Sequence, residues 1–207
     1  DKGRGPGGRM ATRRVDIQGT QASFDHGAQY FTARDPAFRE TVAQWEQAGI
    51  AARWPVAGED AWVGTPGMNA GVKHWAEPLA SGSLAAQVQW EAQVGRNEPD
   101  ALAPRRWQLR TESPDGGQTV HSGFDQVVLA VPHPQAQALL RASGLAAPWV
   151  AQLDRVAVAP CWTLMLAFPQ AMQPGLSGFG PRWHVAKGDH HRIRWLAREP
   201  SKPGRDP

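Results

Sequence analysis

The sequence has few of the residues that mark disulfide-linked, metal-linked or membrane-spanning proteins. Its 207 residues include one cysteine and one tyrosine. A single cysteine excludes an internal disulfide framework and a multi-cysteine metal site. There is no run of about 18 apolar residues, the length that a membrane-spanning helix needs. Residues 1–30 contain no basic start followed by an apolar stretch, which a secretory signal requires. We therefore expect a cytoplasmic protein without a membrane partner.

The composition is that of a globular chain with a mild basic excess. Hydrophobic residues make up 41% and charged residues 20%, and the formal net charge is +3, so an intrinsically disordered chain is not expected. This excess suits a phosphate-bearing ligand, but a solvated surface explains it equally well. The pairs Arg13–Arg14 and Arg105–Arg106 come without any nucleic-acid-binding signature, so no nucleic acid partner is expected.

Several residue types point to other chemistry, and none of them forms a complete motif. No G-x-S-x-G elbow occurs, so hydrolase chemistry has no support. Adjacent histidines on a strand face opposite sides, so His190 and His191 predict no shared metal ion. Cys161 lies in the apolar run PCWTLMLAF and is predicted to be buried. The ten tryptophans form no repeat, and most are predicted to line the core or a pocket.

The clearest helix prediction is the stretch RDPAFRETVAQWEQAG. Asp35 suits the N-cap and Pro36 the first helical position. Phe38, Val42 and Trp45 are spaced so that they share one helix face. A second helix is predicted from TPGMNAGVKHWAEPLA, with Thr65 as its cap.

Pro78 should end or kink this second helix near Glu77. The remaining stretches predict strands, a turn and one further helix. Alternating apolar residues in RRWQLRT predict a strand, and SPDGGQ predicts a turn. The run VVLAV predicts a strand buried on both faces. HPQAQALLRASG predicts a helix, VAVAPCWTLMLAF and HRIRWLARE predict strands, and EPSKPGRDP has loop composition. The fold class is mixed α/β.

The opening stretch DKGRGPGGR has the residues that a dinucleotide site requires. The glycine pair Gly7 and Gly8 lets the backbone approach a ligand closely. Arg9 offers a bidentate donor to a phosphate. An acid at the end of a strand, such as Asp1, binds ribose hydroxyls in nucleotide-binding folds. By composition alone, a flexible terminal tail explains the same residues.

A resemblance to a known family extends this interpretation. DKGRGPGGRMATRR followed by FDHGAQYFT resembles the flavin-binding start of the renalase-like branch of the FAD-dependent amine oxidase superfamily. This implies a Rossmann-like FAD-binding domain interleaved with a substrate domain that is built on a mostly antiparallel sheet. The FAD-binding domain would take residues 1–34 and 66–134, and the substrate domain residues 35–65 and 135–207.

The resemblance also implies which residues bind the cofactor. Asp1 would hold the ribose, Arg9 the pyrophosphate, and Gln29 with Tyr30 the flavin edge, while the backbone at Val94 would meet the adenine. His26 lies near the flavin or at the surface. No catalytic acid or base is implied. The full implied cofactor set is Asp1, Arg4, Gly7, Gly8, Arg9, Ala28, Gln29, Tyr30 and Val94.

Asp1 matches the end of the family's second strand. No G-x-G-x-x-G sequence follows a predicted strand in this chain. We therefore expect an internal fragment that lacks the family's N-terminal glycine fingerprint unit and its C-terminal flavin-closing segment.

The activity implied by the resemblance is hydride transfer from a reduced nicotinamide dinucleotide to FAD, with reoxidation by dioxygen. Two alternatives stay open: an FAD-dependent amine oxidase, and a non-catalytic binding module that retains the fold. Trp162 and Trp195 would line the substrate side of the flavin or pack in the core. The oligomeric state is not indicated by the sequence.

Overall fold

The computed structural model describes residues 1–81, 86–145, 147–168, 183–188 and 192–205. The chain divides into two compact units. The first unit contains Asp1–Gly5 and Gln87–Cys161, and the second contains Pro6–Ala86 and Trp162–Pro207. These boundaries differ from the domain division that the resemblance implies, which stays a prediction. His190 and His191 lie outside the described residues.

The described residues of the second unit form three small antiparallel sheets and two helices. Strands β1 (Thr12–Ile17) and β2 (Thr20–Asp25) form a hairpin. Strands β3 (Phe31–Thr32), β4 (Ala51–Arg53) and β5 (Ala61–Gly64) form a sheet in the order β3-β5-β4. The helices are α1 (Pro36–Gln47) and α2 (Ala70–Ala80). Strands β9 (Val185–Lys187) and β10 (Trp195–Ala197) pair near the end of the chain.

The first unit consists of a three-stranded antiparallel meander and two helices. Its strands are β6 (Gln93–Pro99), β7 (Trp107–Glu112) and β8 (Gln118–Phe124), in that spatial order. Its helices are α3 (His133–Ala142) and α4 (Ala147–Leu153). Ala136 and Leu140 of α3 are buried. The mixed α/β class with antiparallel sheets is thus confirmed, while the interleaved Rossmann-like arrangement stays a prediction.

Two apolar clusters form the core of the second unit. One surrounds Trp54, Val63 and Met68, and the other surrounds Val42 and Trp45. The second cluster lies on the predicted face of α1, where Phe38 packs against it as well. Asp35 caps this helix, since its carboxylate accepts a hydrogen bond of 3.1 Å from the amide of Phe38. The first helix prediction is therefore confirmed.

The second helix begins later and continues further than predicted. Thr65 is not its cap, because the helix begins only at Ala70; the Thr65 amide donates to the carbonyl of Ile50 at 2.8 Å. Asn69 occupies the N-cap position. The helix does not end at Glu77 but includes Pro78. Of the two effects predicted for Pro78, ending the helix is therefore wrong, and a kink stays a prediction.

Two apolar stretches that predict strands are not strands in the described chain. Residues 127–130, the first four residues of VVLAV, have no regular secondary structure. Val128 among them is 84% exposed. Residues 156–168 are also irregular, and Trp162 is 96% exposed. Cys161 in the same stretch is exposed, so the prediction that it is buried is wrong. An apolar run indicates that a segment tends to be covered, but a strand also needs a partner, and no described strand pairs with either stretch.

Candidate functional site

The Gly7–Arg9 loop and the segment that follows β2 lie against each other in the second unit. The carbonyl of Arg9 accepts a hydrogen bond of 2.9 Å from the amide of Ala28. Gly7 and Gly8 have φ angles of 141° and 50°, which other residues rarely adopt. Nothing described lies within 4 Å of the position where a Cβ of Gly8 would be. Gly8 and Arg9 are both exposed.

Gly27 is required for this close approach. A Cβ added at Gly27 would overlap the backbone carbonyl of Arg9. Because the overlapping atoms are backbone, rotating a side chain cannot relieve the clash. The glycine of GAQYFT is therefore explained by packing against the Gly7–Arg9 loop, whether or not a ligand is bound there.

The other residues of the implied cofactor set lie in the first unit. The carboxylate of Asp1 accepts a hydrogen bond of 2.6 Å from the amide of Gly3. Arg4 is exposed. Val94 lies in β6 opposite Thr111, beside an irregularity in the register. Six of the nine implied residues thus belong to the second unit: Gly7, Gly8, Arg9, Ala28, Gln29 and Tyr30.

A buried ionic cluster lies directly beside the GAQYFT segment. Asp25, Lys202, Arg205 and Glu199 form it, and we call these four residues the charge cluster. The side chains of Asp25 and Lys202 are fully buried, and that of Arg205 is 1% exposed. Asp25 Oδ2 lies 3.0 Å from Lys202 Nζ and 2.6 Å from Arg205 Nη2. The two acids and two bases balance each other in charge.

The second carboxylate oxygen of Asp25 is also satisfied. Asp25 Oδ1 accepts hydrogen bonds from the Thr12 hydroxyl at 2.7 Å and from the Met68 amide at 3.2 Å. Burial by itself raises the pKa of Asp25, but the charges of Lys202 and Arg205 and the hydrogen bonds outweigh it. The net result is a pKa below the ordinary value of an aspartic acid. Asp25 is therefore a fixed negative charge at the end of β2.

The pKa of Glu199 is shifted in the opposite direction to that of Asp25. Its Oε1 accepts from Lys202 Nζ at 2.9 Å and from the Asp25 amide at 3.2 Å. Its Oε2 is buried without a hydrogen-bond partner among the described residues and lies 3.9 Å from Arg205 Nε. Burial raises the pKa of Glu199, and the negative charge of Asp25 adds to this, while Lys202 opposes it. The net direction is upward, so Glu199 takes up a proton more readily than an ordinary glutamate.

Gln29 connects the charge cluster to the GAQYFT segment. Its Oε1 accepts from Lys202 Nζ at 3.1 Å, and its Nε2 donates to the backbone carbonyl of Asp25. Both polar atoms of the carboxamide are thus directed inward. Each polar atom of the carboxamide therefore already has one partner inside the protein.

Aromatic side chains line the same region. The rings of Tyr30 and Trp195 lie 5.6 Å apart, and those of Trp195 and Trp54 lie 6.4 Å apart in an edge-on arrangement. Lys187 Nζ lies 5.2 Å from the Trp195 ring, close enough for a cation–π contact. Trp195 therefore packs against the core of the second unit, whereas Trp162 is exposed.

The sequence reasoning missed the charge cluster. EPSKPGRDP has loop composition, and the structure does have a short 3-10 helix and turns there. Its Lys202 and Arg205 are nevertheless buried against a residue 177 and 180 positions away. The available signal is Asp25, an acid two residues before GAQYFT at the end of a stretch in which apolar and polar residues alternate.

Comparison with known protein families supplies no independent assignment: a scan of the chain against family models found no match. Within the described residues, no helix is long and apolar enough to cross a membrane. The same residues contain no group of three or more histidine, cysteine, aspartate or glutamate side chains that could hold a metal ion.

Proposed function

We propose that this chain belongs to an FAD-dependent oxidoreductase that takes hydride from a reduced nicotinamide dinucleotide. When bound, FAD would accept the hydride and would then be reoxidised by dioxygen. The small-molecule donor is the only partner proposed. An amine donor is the alternative that the resemblance also allows, and a cytoplasmic location remains part of the proposal.

The observation that supports this proposal most directly is the contact between the Gly7–Arg9 loop and Ala28. These two segments are the specific part of the sequence resemblance, and the residues whose backbones hydrogen-bond are 19 positions apart. By resemblance, the first segment contacts the pyrophosphate and the second passes beside the flavin, so both must reach the same cofactor. Their contact within one unit is consistent with that need.

The residues of this loop fit the diphosphate of FAD. Arg9 is exposed, no described residue forms an ion pair with its guanidinium, and a planar guanidinium binds phosphate oxygens in a bidentate way. The open space beside Gly8 lets a phosphate reach the backbone. Arg9 would thus bind the diphosphate, and the backbone around Ala28 with Tyr30 would orient the flavin edge. Asp1 and Val94 are assigned to the adenosine half, and Arg4 to the cofactor site, by resemblance alone.

The first experiment measures FAD binding by the purified chain through flavin fluorescence. We expect saturable binding that Arg9→Ala weakens about tenfold to a hundredfold, because hydrogen bonds to charged groups are worth roughly 1.5–3 kcal/mol. Arg13→Ala is the matched control, since Arg13 is exposed on the neighbouring strand and is not part of the implied site. Absence of binding, or equal weakening by both variants, would contradict the proposal and favour a non-catalytic binding module.

A second experiment identifies the donor. The flavin-loaded protein is mixed anaerobically with a reduced nicotinamide dinucleotide or with an amine, and the flavin absorbance is followed. We expect bleaching by the nicotinamide. Bleaching by an amine and not by any nicotinamide would replace the first activity with amine oxidation.

A further inference from the structure

Four separate contacts hold the segment from Asp25 to Gln29. The Asp25 carboxylate is bound by Lys202 and Arg205 of the charge cluster. The amide of Ala28 donates to the Arg9 carbonyl. The carbonyl of His26 accepts from the Thr163 hydroxyl at 2.8 Å. The Gln29 carboxamide is bound by Lys202. Every residue of this segment except Gly27 therefore contributes a polar atom to a contact, and Gly27 is packed against the backbone of Arg9.

Lys202 is the residue that joins two of these contacts. An ammonium has three N–H donors, and Lys202 Nζ has three acceptors: Asp25 Oδ2 at 3.0 Å, Glu199 Oε1 at 2.9 Å and Gln29 Oε1 at 3.1 Å. The donors are therefore fully used. Because the side chain is completely buried, water cannot substitute for a lost acceptor.

The contact to Gln29 is not needed to balance charge. The two carboxylates already balance the two cations of the charge cluster. Gln29 is neutral, and Lys202 fixes the direction of its carboxamide, whose Nε2 then closes back onto the carbonyl of Asp25. Buried ionic groups of this kind add more to conformational specificity in some proteins than to stability.

We propose that Lys202 is a positioning residue: through the Gln29 carboxamide it sets the backbone conformation of residues 25–30, the segment that would face the flavin edge. The relation of this segment to the flavin rests on the proposed function. The first test of the role does not, because it needs no cofactor. Lys202 does not act on substrate, because all its donors are directed to protein groups.

The first test is hydrogen exchange of the 207-residue chain, read segment by segment. In Lys202→Met we expect the amides of residues 25–30 to exchange about tenfold faster, as expected for the loss of one hydrogen bond to a charged group. Helix α1 should exchange faster only by the general loss of stability that breaking a buried ion pair causes, and residues 25–30 should exceed that common acceleration. Equal acceleration in both segments would show a merely structural role and overturn the proposal, as would no change at all.

Gln29→Leu provides a second variant in case Lys202→Met does not fold. It removes only the carboxamide, and it should reproduce the faster exchange of residues 25–30. The double variant should exchange no faster than Lys202→Met alone, since that variant already breaks the link to Gln29. Additive effects would mean that Lys202 does not act through Gln29. Lys73→Met serves as the control for loss of a lysine, because Lys73 is exposed on α2.

FAD binding then separates this proposal from the proposed function. If the chain binds FAD, we expect Lys202→Met and Gln29→Leu to weaken binding to a similar extent, and unequal weakening counts against the link. If the unmodified chain does not bind FAD, the proposed function fails, and the exchange result still decides whether Lys202 positions residues 25–30.

Discussion

The ammonium of Lys202 lies 3.0 Å from the carboxylate of Asp25, and both side chains are fully buried. The two residues are 177 positions apart in the chain. Arg205 binds the same carboxylate oxygen at 2.6 Å, so one aspartate forms ion pairs with two cations that are three residues apart in the chain. This arrangement fixes the end of β2 and the beginning of the GAQYFT region.

Asp25→Ala should destabilise the second unit severely. It leaves Lys202 and Arg205 buried with Glu199 as the only carboxylate among their described contacts, and breaking a buried pair from one side costs about 3–5 kcal/mol. The free energy of opening can be measured by hydrogen exchange of the β5 amides. Asp125→Ala is the control, because the Arg106–Asp125 pair is exposed and such pairs contribute about 0–1 kcal/mol. Similar losses in the two variants would contradict the role given to burial.

The charge cluster should also give the protein an unusual pH dependence. The pKa of Glu199 is raised in the folded state, mainly by burial. Its contribution to stability is therefore fully present below the ordinary glutamate pKa of about 4.3. It is lost as the pH rises through the higher folded value. Asp25 has the opposite sign: its lowered pKa favours the folded state above about 3.9, and this is lost at lower pH.

Glu199→Gln separates these two contributions. The variant retains an oxygen that can accept from Lys202 and the Asp25 amide, but it has no carboxyl group to titrate. Denaturation followed between about pH 2 and 8 should show that the fall in stability above the ordinary glutamate pKa disappears in this variant. The acid loss due to Asp25 should remain. A variant with the same pH profile as the unmodified chain would show that Glu199 does not titrate in this range.

Gly27→Ala should disrupt the contact between the Gly7–Arg9 loop and GAQYFT. The new Cβ would overlap the Arg9 carbonyl, so the Ala28–Arg9 hydrogen bond must lengthen or break. Overpacking of this kind costs about 1–3 kcal/mol. Chemical denaturation measures the loss. Gly5→Ala is the control, since nothing described lies within 4 Å of its Cβ position, and a loss of the same size there would refute the explanation.

Local patterns predicted the elements whose determinants are close together in sequence. The Asp35–Pro36 start and the spacing of Val42 and Trp45 predicted α1, and SPDGGQ predicted the turn between β7 and β8. These features depend on capping, helical periodicity and turn chemistry, which act over a few residues. They carry no information about which distant segments meet.

The charge cluster could not be predicted for that reason. Lys202 and Arg205 lie in a polar, proline-rich turn that reads as surface, and their burial depends on Asp25 near the other end of the chain. For the VVLAV stretch the burial prediction is wrong in the opposite sense: its composition predicts burial, and Val128 is exposed. In the site, sequence resemblance selected Arg9 and Ala28, which the structure brings together, but not the buried groups beside them.

Asp35→Ala tests the capping interaction that begins α1. The aspartate side chain accepts from the Phe38 amide at 3.1 Å, and its loss leaves that amide without this partner. Removing such a cap costs about 0.5–2 kcal/mol. Denaturant unfolding followed by the helical circular dichroism signal measures the effect. Asp35→Asn should behave like the unmodified chain, because asparagine is an equally good cap, and a large loss in this variant would point to charge instead.

Cys161 should react with a thiol reagent in the folded protein. Its side chain is exposed and forms no disulfide, and the surrounding residues 156–168 form no regular secondary structure that would shield it. Alkylation by a maleimide, followed by mass spectrometry, should therefore proceed in buffer at nearly the rate found in denaturant. Cys161→Ser should abolish labelling, because the chain has no other cysteine. Labelling that requires denaturant would mean that residues 156–168 are covered in solution, as the apolar sequence of this stretch predicts.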